Sequence, residues 1–242
     1  MEIALGPPIE KLPAYMHIAQ RIRRAIQLGR YARGDRLPSE VQLVDQLGFS
    51  RVTVREAIRH LEGEGYIETR RGAKGGLFVR RQQATRASQL AALRAEWPAI
   101  ENLFEYRIAV ESRASRLAAE RREPVHLARL DAALAAFRQG RLSADFRRAD
   151  SEFHLAIADA STNPHLQQAS EEARAGMFMP FDAVEFSPGL WAEQPDQHAA
   201  ILDAIRDGNA EGAAAAMTAH LEASRTHISE LVWAGTATPV EA

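Results

Sequence analysis

Leu37-Pro38-Ser39-Glu40-Val41-Gln42-Leu43-Val44-Asp45-Gln46-Leu47-Gly48-Phe49-Ser50-Arg51-Val52-Thr53-Val54-Arg55-Glu56-Ala57-Ile58-Arg59-His60-Leu61 is the stretch from which the rest of the chain is read. Ser39 followed by Gln42 is a capping-box pattern, so a helix starts there. Val41, Leu43, Val44 and Leu47 supply its apolar positions, and Gly48 permits the left-handed backbone that ends it. Ser50 caps a second helix after a turn of a few residues. Val54, Ile58 and Leu61 form an apolar stripe on that helix, at i, i+4 and i+7. Arg51, Arg55 and Arg59 recur at i, i+4 and i+8 on a different face. Two helices around a short glycine-containing turn, with arginine at the start of the second, suit a reader of the DNA major groove.

Working outward, Tyr66-Ile67-Glu68-Thr69 and Gly76-Leu77-Phe78-Val79 read as short strands. The glycine-rich basic stretch Arg70-Arg71-Gly72-Ala73-Lys74-Gly75 lies between them. A two-stranded wing tipped with Arg71 and Lys74 can lie along a phosphate backbone. Charge agrees with this division. Residues 1–80 hold 14 of the 30 Lys and Arg but 9 of the 32 Asp and Glu, a balance of +5. The remaining residues hold 16 and 23, a balance of −7. A basic head on an acidic body fits a nucleic-acid-binding module joined to a second function. Cysteine is absent, which excludes a disulfide framework and a thiolate metal site. No membrane span or signal peptide is evident, so a cytoplasmic protein is expected.

Upstream, Tyr15, Ile18, Ile22, Ala25, Ile26 and Leu28 predict a helix over about 13–29. From residue 90 onward the periodicity is helical. Helices are predicted from Pro98, from Pro124 to Gly140, from Ser143 to Ala160, and from Leu166 to about Phe181. A break falls at Phe186-Ser187-Pro188-Gly189, followed by a helix pair, Pro195–Asp207 and Ala210–Trp233. The expected fold is mainly α: a winged helix-turn-helix over 1–80, a linker over 81–96, and an all-α antiparallel bundle over 97–235.

Four polar residues of the bundle stand out. Asp150 and His154, at i and i+4, share one helix face. His198 lies ten residues before Gly208 and His220 eleven after Asn209, so a hairpin turning there brings both to one height. Three imidazoles and a carboxylate can hold a divalent metal. The alternative is four unrelated polar residues on a helical surface. His17, His60, His126, His165 and His227 have no such companions. A metal with open positions also raises the possibility of a hydrolase, although Glu152, at i+2 from Asp150, points off the site. A purely structural metal is the other competitor.

The motifs resemble a known family. Leu37-Pro38-Ser39-Glu40, Ser50-Arg51-Val52-Thr53-Val54-Arg55-Glu56-Ala57, Leu61-Glu62-Gly63-Glu64-Gly65 and Gly75-Gly76 with Phe78-Val79 look like the winged-helix signature of GntR-type bacterial transcription regulators. The resemblance implies operator contacts from Arg51 and Arg55, with Thr53 and the wing residue Gly72 as weaker carry-overs. One departure is Val41, where the family usually has Arg. Asp150 with Phe153-His154, Asn163-Pro164, His198 with Ile201, and Met217 with His220-Leu221 look like the FCD-type ligand-binding domain of the FadR subfamily. That likeness implies zinc or nickel on Asp150, His154, His198 and His220, a small carboxylate effector, and a homodimer on operator DNA. It also implies that Arg107 faces the effector cavity; the alternative is a surface salt bridge from Arg107 to Glu111.

Overall fold

The structure is a computed structural model, and it describes residues 12–72, 75–80, 85–140, 143–181 and 193–234. The chain separates into two compact units, Met1–Ile26 with Tyr31–Arg81, and Gln27–Arg30 with Gln82–Ala242. Ten helices and one two-stranded sheet are found among the described residues.

In the first unit α1 (Ala14–Gln27), α2 (Glu40–Leu47) and α3 (Arg51–Gly63) pack around Ile18, Leu43, Val54, Ala57 and Leu61. The caps are those expected. Ser39 accepts from the Gln42 backbone while Gln42 reaches back to Ser39 N at 2.9 Å, closing the capping box. Gly48, at φ 71°, ends α2 in the left-handed region. Ser50 accepts from Thr53 N at 3.2 Å and so starts α3. Val41 departs from the expected apolar stripe and is 61% exposed.

Strands β1 (Ile67–Arg70) and β2 (Gly76–Val79) pair antiparallel, with Ile67 opposite Val79 and Arg70 opposite Gly76. Ile67, Leu77 and Val79 point into the core. The Arg36 guanidinium donates to Gly75 O at 2.9 Å and crosses the face of Gly76, whose φ of +146° suits glycine.

The second unit is helical among its described residues: α4 (Arg86–Ala95), α5 (Trp97–Arg121), α6 (Pro124–Gln139), α7 (Ser143–Ala160), α8 (Pro164–Phe181), α9 (Gln194–Asp207) and α10 (Ala210–Trp233). Residues 86–95, expected within a linker, form α4, and Leu93 is buried against Trp97, Ile100 and Phe104. Capping by Thr85, which accepts from Ser88 N at 3.3 Å, starts this helix. The main core joins Ala114, Leu130, Phe153, Ile157, Ile201, Ile205, Met217 and Leu221. Each large apolar side chain buried there contributes roughly 1.5–3 kcal/mol. Gly208, at φ 73°, caps α9, and the Asn209 side chain accepts from Gly212 N to start α10. These two residues turn the α9–α10 hairpin. The expected break at 186–189 lies outside the described residues.

Candidate functional site

Two faces carry chemistry, one in each unit. On the first unit, Arg51 and Arg55 stand on the exposed side of the first turns of α3, 60% and 56% accessible. Both lean toward Glu40 at the start of α2, Arg55 Nε at 2.8 Å and Arg51 Nε at 3.6 Å. Thr53 has its hydroxyl 2.8 Å from that of Ser50 and belongs to the cap. Arg71 and Gly72 are exposed at the wing, and Gly72 has φ +99°. Lys74 lies outside the described residues. Glu40, which sequence reasoning had used only in a motif, is the acid that orders these arginines. Its signal was its position at the first turn of α2, across the short turn from α3.

In the second unit α7 carries Asp150 and His154 on one face, α9 carries His198 and α10 carries His220. One ligand atom from each lies within 4.8 Å of all the others. The imidazole centroids are 5.4 Å apart for His154 and His198, 5.2 Å for His154 and His220, and 4.7 Å for His198 and His220. The hairpin brings His198 and His220 level, as the counting from Gly208-Asn209 required. All three histidines are buried, and Asp150 retains 16% side-chain exposure.

Around these four stands a second set of buried charges. Arg107 Nε donates to Glu111 Oε1 at 2.7 Å on α5. Glu111 Oε2 accepts from His154 Nδ1–H. Arg174, on α8, donates to Asp150 Oδ2. His220 Nδ1 lies 2.8 Å from Gln197 Oε1. The Arg107–Glu111 pair anticipated on the surface therefore exists, but both members are buried. Glu111 was legible only as the i+4 partner of Arg107. Arg174 and Gln197 gave no signal, because one arginine on a long helix and one glutamine beside a histidine are ordinary residues.

Electrostatics follow from this packing. Burial works against ionising Glu111, but Arg107, then His154 and Arg174, outweigh it and hold its carboxyl far below the usual range. Burial works against Asp150 in the same way, and Arg174 and the two histidines beside it prevail, so its pKa is also depressed. For His198 burial lowers the pKa despite Asp150. For His220 burial, with His198 and His154 nearby, lowers it further. At neutral pH these rings are uncharged, the state in which imidazole binds a metal.

The donor set fits a cation on two observations. Nε2 of His154 and both ring nitrogens of His198 are buried without a well-formed hydrogen bond among the described residues. Asp150 Oδ1 lies 3.4 Å from His198 Nε2 and 3.6 Å from His154 Nε2. Two imidazole nitrogens and a carboxylate oxygen thus converge on a small space, an arrangement that can hold a cation.

A winged-helix head with an ordered arginine pair, joined to a helical unit with a buried His/Asp centre, defines a DNA-binding regulator with a sensory module. The comparisons agree: the model for bacterial regulatory proteins of the gntR family matches residues 14–79 and the FCD domain model matches residues 102–223. An Escherichia coli K12 protein named for the regulation of an L-lactate dehydrogenase operon is 34% identical over 224 residues, covering 84% of this chain and 82% of its own length. The transcriptional regulator LutR of Bacillus subtilis is 31% identical over 209 residues, covering 81% of this chain and 92% of its own. Among solved structures, McbR/YncC of Escherichia coli aligns with a TM-score of 0.54 at 20% identity, covering 92% of this chain and 98% of that one, a likeness of fold. The chain belongs to the GntR family of bacterial transcription regulators, with an FCD domain as its second module. No described helix is long and apolar enough to cross a membrane.

Proposed function

We propose that the chain is a cytoplasmic, metabolite-responsive repressor whose operator affinity falls when a small organic or sugar acid binds its helical unit. The observation that carries this reading is the convergence of Asp150, His154, His198 and His220 beside two buried arginines. Those four residues would hold a divalent metal, zinc or nickel, which supplies affinity for carboxylate and hydroxyl oxygens. Arg107, with its planar donors, would pair with the carboxylate of the acid. The relative named for an L-lactate dehydrogenase operon supports a hydroxy acid as one class to test.

On the DNA side, Arg51, Thr53 and Arg55 would meet base edges and backbone, while Arg71, Gly72 and Lys74 of the wing would meet phosphates. A homodimer would place two α3 helices about one helical turn of DNA apart on a palindromic operator. The acid can change operator affinity only through the difference in its own affinity for the two arrangements of the dimer. Hydrolysis is disfavoured because Glu152, 41% exposed, faces Arg129 at 3.7 Å rather than the His/Asp centre.

The test is fluorescence anisotropy of the full chain on DNA from upstream of its own gene, with and without chelator and a panel of hydroxy, dicarboxylic and sugar acids. Nanomolar binding that one acid weakens, and that chelator makes insensitive to that acid, supports the reading. Binding indifferent to every acid and to the metal would sink it.

A further inference from the structure

The four centre residues do not by themselves decide which ring nitrogen of each histidine faces the centre. An imidazole has two nitrogens, and in the neutral ring only one carries a lone pair. For His154 and His220 that choice is made by side chains outside the centre. Glu111, a carboxylate, can only accept, so in the neutral ring His154 carries its proton on Nδ1 and its lone pair falls on Nε2, 3.6 Å from Asp150 Oδ1. Gln197 presents Oε1 to His220 at 2.8 Å, which places the His220 proton on Nδ1 as well.

Glu111 also divides its two oxygens in a way a simple ion pair does not require. A buried Arg–Glu pair is best served by a bidentate fork, two oxygens on one guanidinium. Here Oε1 takes Arg107 Nε at 2.7 Å and Oε2 takes the histidine. The carboxylate is 2% exposed, so it sits inside the unit at a desolvation cost that its partners must offset. Gln197 lies one residue before His198 on α9 yet turns across the hairpin to His220 on α10. Two different elements, α5 and α9, thus each supply an acceptor to the Nδ1 of a histidine on another helix.

We propose that Glu111 and Gln197 are positioning residues for a divalent cation: they fix the Nδ1–H form of His154 and His220, so that the lone pair of each neutral ring falls on Nε2, the nitrogen left to bind the cation. This rests on the metal reading above. Partners of this kind raise the basicity of the ring and hold its orientation, and their loss typically weakens metal binding by about 10–100-fold. The two differ in charge. Glu111, anionic, polarises His154 more than the neutral amide polarises His220, so a carboxylate at position 197 should improve on glutamine.

The experiment measures the zinc affinity of the full chain by chelator competition, with circular dichroism as a check on folding and 15N NMR to read the ring tautomers. Gln197→Ala should weaken zinc binding by about 10-fold or more, and Gln197→Glu should restore it to at least the wild-type value. Glu111→Gln should weaken it as well, but that change also alters the Arg107 pair, so Gln197 is the deciding position. A structural role for Gln197 would not make the glutamate variant recover zinc affinity. Wild-type affinity in Gln197→Ala, or His220 found with its proton on Nε2, would overturn the assignment. His198→Ala separates the two readings. If it too binds zinc as the wild type does, the centre is not the metal site and the metal reading itself fails. If it loses zinc while Gln197→Ala does not, only the positioning role is lost.

Discussion

Arg174 on α8 grips Oδ2 of Asp150 on α7, which leaves Oδ1 to face His154 at 3.6 Å and His198 at 3.4 Å. One guanidinium is therefore the largest influence that keeps the only carboxylate among the four centre residues ionised, and it also directs that carboxylate's remaining oxygen.

Arg174→Met should destabilise the helical unit, because it leaves a buried carboxylate without its main counter-charge. Breaking a buried pair from one side costs about 3–5 kcal/mol. Thermal denaturation of the variant should show the loss, and added zinc should recover part of it by giving Asp150 a new partner. A melting temperature equal to the wild type would mean that Asp150 is solvated after all.

Stability should fall with acid in two stages. His198 and His220 have folded pKa values below the ordinary 6.5, so as pH drops the unfolded chain takes up protons first. The contribution of their neutral burial is complete above that value and shrinks below it. Glu111 and Asp150, depressed below their ordinary 4.5 and 3.8, add a second loss at lower pH. Urea unfolding of the metal-free protein from pH 8 to pH 4 should show stability decreasing below about 6.5. A flat profile down to pH 5 would contradict the buried neutral rings.

Chelation should lower the melting temperature, because a metal that binds only the folded state stabilises it by mass action. At a free metal concentration 100 times the Kd this is worth about 2.7 kcal/mol. Calorimetry before and after dialysis against chelator measures it, and His198→Ala should abolish the difference.

Operator binding should depend on Arg55 and, in the opposite sense, on Glu40. Loss of one arginine contact to a base costs about 1–3 kcal/mol, or roughly 5–150-fold, so Arg55→Ala should weaken the operator far more than random DNA. Glu40→Gln releases Arg51 and Arg55 from a carboxylate and removes a charge that repels phosphate. It should strengthen binding to random DNA and narrow the ratio between operator and random sequence. Equal effects on both DNAs for both variants would remove α3 as the reading helix.

The wing should tolerate little at Gly76. A Cβ there would lie 2.8 Å from Arg36 Nε, and the backbone is in a region that side chains rarely adopt. Gly76→Ala should cost about 1–3 kcal/mol of backbone strain, read as a lower midpoint in denaturant. An unchanged midpoint would mean that Arg36 moves aside at no cost.

The sequence alone determined what is local. Capping at Ser39 and Ser50, the left-handed stop at Gly48, the hairpin turn at Gly208-Asn209, the apolar stripe of α3 and the helical run of the second unit all follow from residues a few positions apart. The level placement of His198 and His220 followed from counting along a hairpin, again a local rule. Val41 escaped because an apolar residue in the first turn of a short helix satisfies the pattern whether or not anything covers it. Helix α4 reads in the sequence as a polar stretch that is either linker or helix, because its single buried anchor, Leu93, is too little periodicity to decide between them. What the tertiary structure decided is the company of charges. Glu111, Arg174 and Gln197 reach the centre from three helices that no spacing rule connects to His154, Asp150 and His220, and their roles depend on which oxygen or nitrogen each turns inward. Helical periodicity fixes the face on which a side chain lies. Only packing against other helices, with burial making each unpaired charge costly, fixes its partner.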